Sequence, residues 1–167
     1  MRKETRALAA VLKGLVTLTC GCNLLTLPLV HALVRRNYIE GQAYGGASLW
    51  QDDRAVVLIL FLWFCGCCTA VILWQGRRVL GAILREEPFS MDNAVSLRRA
   101  ALCAFAIAGA AAARMLWGFW FYRSIAPLLT YNALFVPIFA MAGLLCLVMS
   151  ALFRQAAELK AENDLTI

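Results

Sequence analysis

A single charged side chain, Arg114, lies inside the apolar stretch from Ala100 to Tyr122 and is the residue best placed to do chemistry. A guanidinium at mid-span costs about 2.5–3.5 kcal/mol on insertion scales, so such residues often have a function. The function expected here is binding of an anionic group, either a lipid headgroup or a carboxylate, in a cavity open to the outside. The alternatives need no ligand: the side chain extends outward to water, or it contacts the carbonyls freed by Pro28 or Pro137, or the carboxylates of Asp52 and Asp53.

The seven cysteines are the second candidates for chemistry, at positions 20, 22, 65, 67, 68, 103 and 146. A thiolate metal site needs several ligands that converge on one point. On a helix Cys65 and Cys68 share a face, but Cys67 points away from it. All seven lie within apolar stretches, which is not the pattern of a secreted disulfide framework. We therefore predict that they are small apolar packing side chains and that the chain binds neither a metal nor a cofactor.

Sequence motifs of enzymes are absent from the chain. It contains no GxGxxG, Walker A, HExxH or GxSxG pattern, and no pair of carboxylates lies within an apolar stretch. The only histidine, His31, is predicted to be solvated near the outer surface, with sensing of outside acidity as the alternative. We therefore predict no catalytic residue and no enzymatic activity.

The composition is that of a membrane protein. Of the 167 residues, 62% are hydrophobic, and the mean hydropathy is +0.72, whereas about half of the residues of a soluble domain are apolar. Four apolar stretches have the length that crosses a bilayer, at residues 13–34, 55–75, 100–122 and 133–153. The predicted fold is an all-α membrane protein, one domain of four transmembrane helices. Because the first apolar run is longer than that of a signal peptide, we expect this helix to stay uncleaved.

The basic residues predict the orientation of the chain. The N-terminal segment, residues 76–99 and the C-terminal tail together carry eleven Lys and Arg, against four in the other two connections. By the positive-inside rule, both termini are expected in the cytoplasm. Topology and contact with anionic lipid then account for the net charge of +6, and no direct binding of nucleic acid is expected.

Three of the helices are expected to continue into the cytoplasm. The second continues to Glu87, where Pro88 stops it, because the residue before a proline avoids the helical region. Ser90 is a predicted N-cap, so that Met91–Tyr122 forms one long helix. The fourth helix continues from Phe153 to Glu162, with charges spaced as on a helix in water.

Two segments at this predicted cytoplasmic face resemble a known family. They are REEPFSMDNAVSLRR in the second connection and FRQAAELKAENDLTI at the C-terminus. Together they resemble the YoaS-like family of small bacterial four-span membrane proteins, a domain of unknown function, over essentially the whole chain. The resemblance implies a place in the bacterial cytoplasmic membrane and a partner among small helix-turn-helix regulators of the Xre/Cro type.

We hypothesise that the cytoplasmic face docks such a regulator. The predicted dock comprises the residues that carry the resemblance: Pro88, Phe89, Glu162, Asn163, Asp164, Leu165, Thr166 and Ile167. One alternative is a small-molecule exporter or ligand-binding bundle that uses Arg114. Another is a packing subunit of a larger complex, or a homo-oligomer. In that case the small side chains of Ala104, Ala108 and Ala112 contact a neighbouring chain, although the same stripe could equally lie inside the bundle.

Overall fold

The computed structural model describes residues 3–41, 53–85, 87, 89–122 and 132–164. Four helices account for nearly all of these residues: α1 (Lys3–Gly41), α2 (Asp53–Leu84), α3 (Met91–Tyr122) and α4 (Asn132–Asp164), and no strand occurs in the described ranges. Each helix holds a window that is long and apolar enough to cross a membrane. The prediction of an all-α membrane protein with four spanning helices is therefore confirmed.

Helices α1 and α2 both extend into residues 35–54, which separate the first two predicted spans. The backbone is helical up to Gly41 and again from Asp53, and the residues between them lie outside the described ranges. No glycine or proline occurs between Val34 and Gly41. Nothing in the local sequence therefore interrupts α1 before that glycine, whose backbone freedom disfavours a helix.

Helix α2 ends at Leu84, three residues before the predicted end at Glu87. The Arg85 amide donates hydrogen bonds to the carbonyls of Gly81 and Ala82, at 3.2 and 3.1 Å. The Glu87 amide also donates to the Ala82 carbonyl, at 3.1 Å. A wider turn of this kind is a common way to satisfy the last carbonyls of a helix. Pro88, to which the prediction assigned the stop, lies outside the described residues.

Helix α3 begins as predicted. The Oγ of Ser90 accepts a hydrogen bond from the Asn93 amide at 3.4 Å, and the Ser90 carbonyl accepts from the Ala94 amide at 3.3 Å, which is the arrangement of an N-cap. The side-chain amide of Asn93 donates to the Glu87 carbonyl at 3.4 Å. This bond ties the α2–α3 connection to the helix that follows it.

Consecutive helices are antiparallel and pack in chain order: α1 on α2, α2 on α3, and α3 on α4. Among the described residues, no comparable packing joins α1 to α4. Residues of all four helices nevertheless line one cavity. The four helices are therefore arranged in chain order as an open U, with α1 and α4 as its two arms. We call the end that carries the start of α1, the α2–α3 connection and the end of α4 the terminal end. The opposite end is called the loop end.

The core is built on the small side chains of α3. Its buried members are Ala100, Ala101, Ala104, Ala108 and Ala111, with Ile107 among them. Small side chains let helices approach closely, and in lipid this close packing replaces much of the hydrophobic driving force. Two of the three alanines of the predicted stripe are thus buried inside the bundle and the third, Ala112, is half-buried. This stripe therefore gives no support to a contact with a second subunit.

Candidate functional site

The α2–α3 connection is held against α4 at the terminal end. The ring of Phe89 meets the ring of Phe153 edge to face, with centroids 5.6 Å apart. One turn away, the Ser150 hydroxyl donates a 2.7 Å hydrogen bond to the Ala94 carbonyl. Both residues of this bond are buried, so a hydrogen bond joins the two elements in addition to the packing of the rings. The residue of the connection that the sequence places in the dock, Phe89, therefore lies directly on α4.

The C-terminal part of the predicted dock continues beyond this contact. Helix α4 runs to Asp164, and the side chains of Glu162 and Asn163 are exposed. Nine residues separate Phe153 from Glu162, which is about 13 Å along a helix. Both parts of the predicted dock therefore lie at the terminal end, but Phe89 and Glu162 are not in contact. Of the remaining dock residues, Pro88, Leu165, Thr166 and Ile167 lie outside the described residues.

An ion pair and an exposed leucine mark the last turns of α4. The Nε of Arg154 donates a 2.8 Å hydrogen bond to Oε1 of Glu158, and this bond raises the pKa of the guanidinium. Both side chains are largely exposed, so the pair adds little to stability. On the same segment the side chain of Leu159 is 62% exposed. Near the other part of the dock, Phe89 and Met91 are each about half exposed.

A cavity of about 640 Å³ lies between the four helices, toward the loop end. Its walls are mostly aliphatic and aromatic side chains, from Leu27 on α1 to Leu62 on α2 and Phe139 on α4. Its volume is within the range of sites that bind small molecules, which is roughly 300–1,000 Å³. The cavity is therefore large enough for a ligand.

Arg114 lines this cavity. Its guanidinium carbon lies 4.9 Å from the centre of the Phe61 ring, a cation–π contact between α3 and α2. The register of α3 against α4 follows from Gly143, where an added Cβ would lie 3.0 Å from the Phe105 ring. For antiparallel helices of equal rise, Arg114 is then level with the first turn of α4. The charge thus lies near the loop end of the bundle and not at its centre.

The end of the cavity far from Arg114 is also polar, but its polar side chains are uncharged. Asn23, Thr26 and Thr69 line it. The Oδ1 atom of Asn23 is buried and accepts no hydrogen bond from any described residue. The Thr26 and Thr69 hydroxyls donate to the carbonyls of their own helices, at 2.9 and 2.8 Å, so their oxygens remain able to accept.

The cysteines form no site of their own in the described part of the chain. Cys68 and Cys103 are neighbours across the interface of α2 and α3. No group of three or more His, Cys, Asp or Glu side chains is close enough there to hold a metal ion. The seven thiols are free, and five of them are half-buried among the helices.

Comparison with known protein families shows what the chain is related to, but it indicates no activity. A family model described as "Protein of unknown function (DUF2975)" matches residues 26–167, which is most of the chain. The chain belongs to the DUF2975 family. No curated protein and no solved structure matches it. What this DUF2975 member does must therefore be argued from its own residues.

In this DUF2975 member, sequence analysis missed several residues of the predicted dock and of the cavity. Phe61, Thr69 and Phe153 are ordinary members of apolar runs, and no motif distinguishes them from their neighbours. Only helix register brings Phe61 to Arg114 and Phe153 to Phe89. One signal was available for Asn23, because a polar amide in the middle of an apolar run marks a cavity or an interface.

Proposed function

We propose that this integral membrane protein is an adaptor whose terminal end docks a small helix-turn-helix regulator of the Xre/Cro type. The chain would lie in a bacterial cytoplasmic membrane with both termini in the cytoplasm, and it would not bind nucleic acid itself. Helices α2, α3 and α4 then extend beyond the membrane on that side. Held at the membrane, the regulator is withdrawn from its operators.

The edge-to-face contact between Phe89 and Phe153 is the observation that carries this proposal. It places the α2–α3 connection directly on α4, and α4 continues for about 16 Å past Phe153. A helix that projects from a bundle presents side chains on several faces to a partner. The connection provides a fixed base at the root of that helix.

Exposed apolar side chains at the terminal end also support the proposal. In the proposed orientation, Leu159 on α4 lies in water together with Phe89 and Met91, and all three side chains are exposed. Exposed large apolar side chains outside a membrane are typical of an interaction surface. A few such residues commonly dominate the affinity of an interface.

The partner class rests on the resemblance carried by residues 85–99 and by the C-terminal segment. The charges of the surface fit a mixed polar rim around an apolar centre, with Glu158 and Glu162 on α4 and Arg85 and Arg99 near the connection.

The test is capture from native membranes with the full-length chain, a chain ending at Lys160, and the Leu159→Ala variant. The control is Leu8→Ala, because Leu8 is another exposed leucine of the terminal end, at 69%, and lies on α1. The captured soluble protein is identified by mass spectrometry, purified, and titrated against proteoliposomes. We expect a helix-turn-helix protein whose affinity falls roughly tenfold in Leu159→Ala and not in Leu8→Ala.

Three outcomes would count against the proposal. The first is that no helix-turn-helix protein is retained by the full-length chain. The second is equal retention by the full-length chain and the chain ending at Lys160. The third is retention of membrane proteins only, by every version, which favours a packing subunit of a larger complex.

A further inference from the structure

We propose that the cavity beside Arg114 is a binding site for a single-chain anionic amphiphile, which enters from the lipid between α1 and α4. The acid group of this ligand, a carboxylate or a phosphate, contacts the guanidinium. Its apolar chain extends along the cavity toward Asn23 and Thr69. This inference is independent of the docking proposal, because it concerns the other half of the bundle.

The route of entry follows from the helix packing. α1 contacts α2, α2 contacts α3, and α3 contacts α4, but no comparable packing closes the space between α1 and α4 among the described residues. The cavity is lined from both of these outer helices, for example by Val30 on α1 and Phe139 on α4. In a bilayer this open side of the U faces lipid. A ligand that already lies in the membrane can therefore enter sideways.

The shape of the site favours an elongated ligand with one charged end. Phe61, which contacts Arg114, and Thr69 line the same cavity from α2. Eight residues separate them, so the cavity extends at least about 12 Å along that helix. Between these two levels the walls include Leu62, Gly66 and Ile107. An apolar chain fits such walls, because they offer no hydrogen bonds to a polar body.

The charge of the site selects an acid as the headgroup. A guanidinium in apolar surroundings forms stronger bonds to carboxylate or phosphate than the same group does in water. The Phe61 ring lies over the Arg114 guanidinium and restricts its orientation, so less side-chain freedom is lost when a ligand binds. Neither an uncharged nor a cationic amphiphile gains this interaction.

Asn23 is the second polar contact of the proposed ligand site. Its buried Oδ1 has no hydrogen-bond donor among the described residues, which is costly in an apolar interior. It lines the cavity at the end far from Arg114. A water molecule or a hydroxyl group on the ligand chain that reaches this depth would satisfy it. An acyl chain hydroxylated toward its end should therefore bind more tightly than the plain acid.

The test uses the purified full-length chain in neutral phosphatidylcholine proteoliposomes and three photoreactive probes with the same long alkyl chain. The probes are a fatty acid, a lysophosphatidic acid and a fatty alcohol, each with a diazirine near the chain end. We expect both classes of acid, or one of them, to label Leu27 or Ile107, which line the cavity toward its Thr69 end. The alcohol should label mainly lipid-facing residues such as Leu24 and Leu145. The stronger of the two acids identifies the headgroup as carboxylate or phosphate.

Variants separate the site from general lipid contact. Arg114→Gln should lower cavity labelling by the acids about tenfold, and Arg114→Lys should retain part of it. Val30→Phe narrows the cavity without changing its charge and should also reduce labelling, which keeps the test valid if Arg114→Gln fails to fold. Arg99→Gln is the matched control, because it removes an exposed arginine from the same helix outside the cavity.

The inference is overturned if the alcohol labels the cavity as strongly as the acids. It is also overturned if folded Arg114→Gln protein, or folded Val30→Phe protein where Arg114→Gln does not fold, is labelled like the wild type. Labelling confined to lipid-facing residues with every probe has the same meaning. None of these results depends on the regulator, so failure here is distinguishable from failure of the docking proposal.

Discussion

The hydroxyl of Ser150 donates a 2.7 Å hydrogen bond to the main-chain carbonyl of Ala94, a residue 56 positions earlier in the chain. Both residues are buried, with side chains 8% and 5% exposed. The bond fixes α4 against α3 at the terminal end, one turn from the contact of Phe89 with Phe153. The orientation of the predicted dock thus depends on a small polar contact inside the bundle.

Replacing Ser150 with Ala should destabilise the protein by about 1 kcal/mol, because hydrogen bonds between membrane helices are typically of this size or smaller. The measurement is unfolding of the purified protein by sodium dodecyl sulfate in mixed micelles. Thr19→Ala is the control, since the Thr19 hydroxyl is exposed and bonds to the Leu15 carbonyl of its own helix at 2.9 Å. An equal effect of the two substitutions would contradict a special role for the bond from Ser150.

Phe89 and Phe153 should be energetically coupled. A double-mutant cycle with Phe89→Ala and Phe153→Ala is expected to give about 0.5–1 kcal/mol, the size of an edge-to-face pair that is partly exposed. Loss of the contact should also speed cleavage by trypsin after Arg85, because the connection is then released from α4. Phe119→Ala on the lipid-facing side of α3 is the control. Additive effects in the cycle and an unchanged rate of cleavage would show that the two rings act separately.

Gly143 and Gly109 should respond differently to replacement by Ala. A Cβ at Gly143 would lie 3.0–3.1 Å from three carbons of the Phe105 ring, whereas nothing lies within 4 Å of a Cβ at Gly109. Ala is the better helix former by about 1 kcal/mol. Gly109→Ala should therefore stabilise the protein, while the gain at Gly143 is cancelled by crowding between α3 and α4. We expect Gly143→Ala to be at least about 1 kcal/mol less stable than Gly109→Ala in the same micelle titration.

The orientation of the chain can be tested with reporter fusions. A green fluorescent protein after the C-terminus should fluoresce, because it folds in the cytoplasm. Alkaline phosphatase inserted within residues 42–52 should be active, because it folds outside. The physical reason is the excess of Lys and Arg at the terminal end. The reverse pattern would place the dock outside the cell and would remove the regulator from consideration.

Much of the fold could be predicted from the sequence because membrane helices are local structures. Apolar length gave the four helices, and the spacing of Pro88, Ser90 and Met91 gave the start of α3 to the residue. The end of α1 was missed, because the polar residues after Val34 continue the helix as far as the first glycine. Polarity marks where a chain can leave the apolar layer, but it does not end a helix.

For the candidate site, the sequence singled out Arg114 by its charge but left its surroundings open. The sequence allowed three interpretations of Arg114. It binds an anion in a cavity, it extends to the water at the surface, or it contacts a neighbouring carbonyl or carboxylate. The structure adds the Phe61 ring and a cavity shared by all four helices. None of this can be read from α3 alone, because it depends on the rotation and register of α2 against α3.

By itself the sequence determined the class of the protein and the number of helices, since both depend on residues that are adjacent in the chain. Only the tertiary structure decided what the helices enclose. It placed the alanines of α3 inside the bundle, set Ser150 against Ala94, and left α1 and α4 apart beside the cavity. The physical reason is that contact between apolar helices in lipid is set by the fit of small side chains over long separations in sequence.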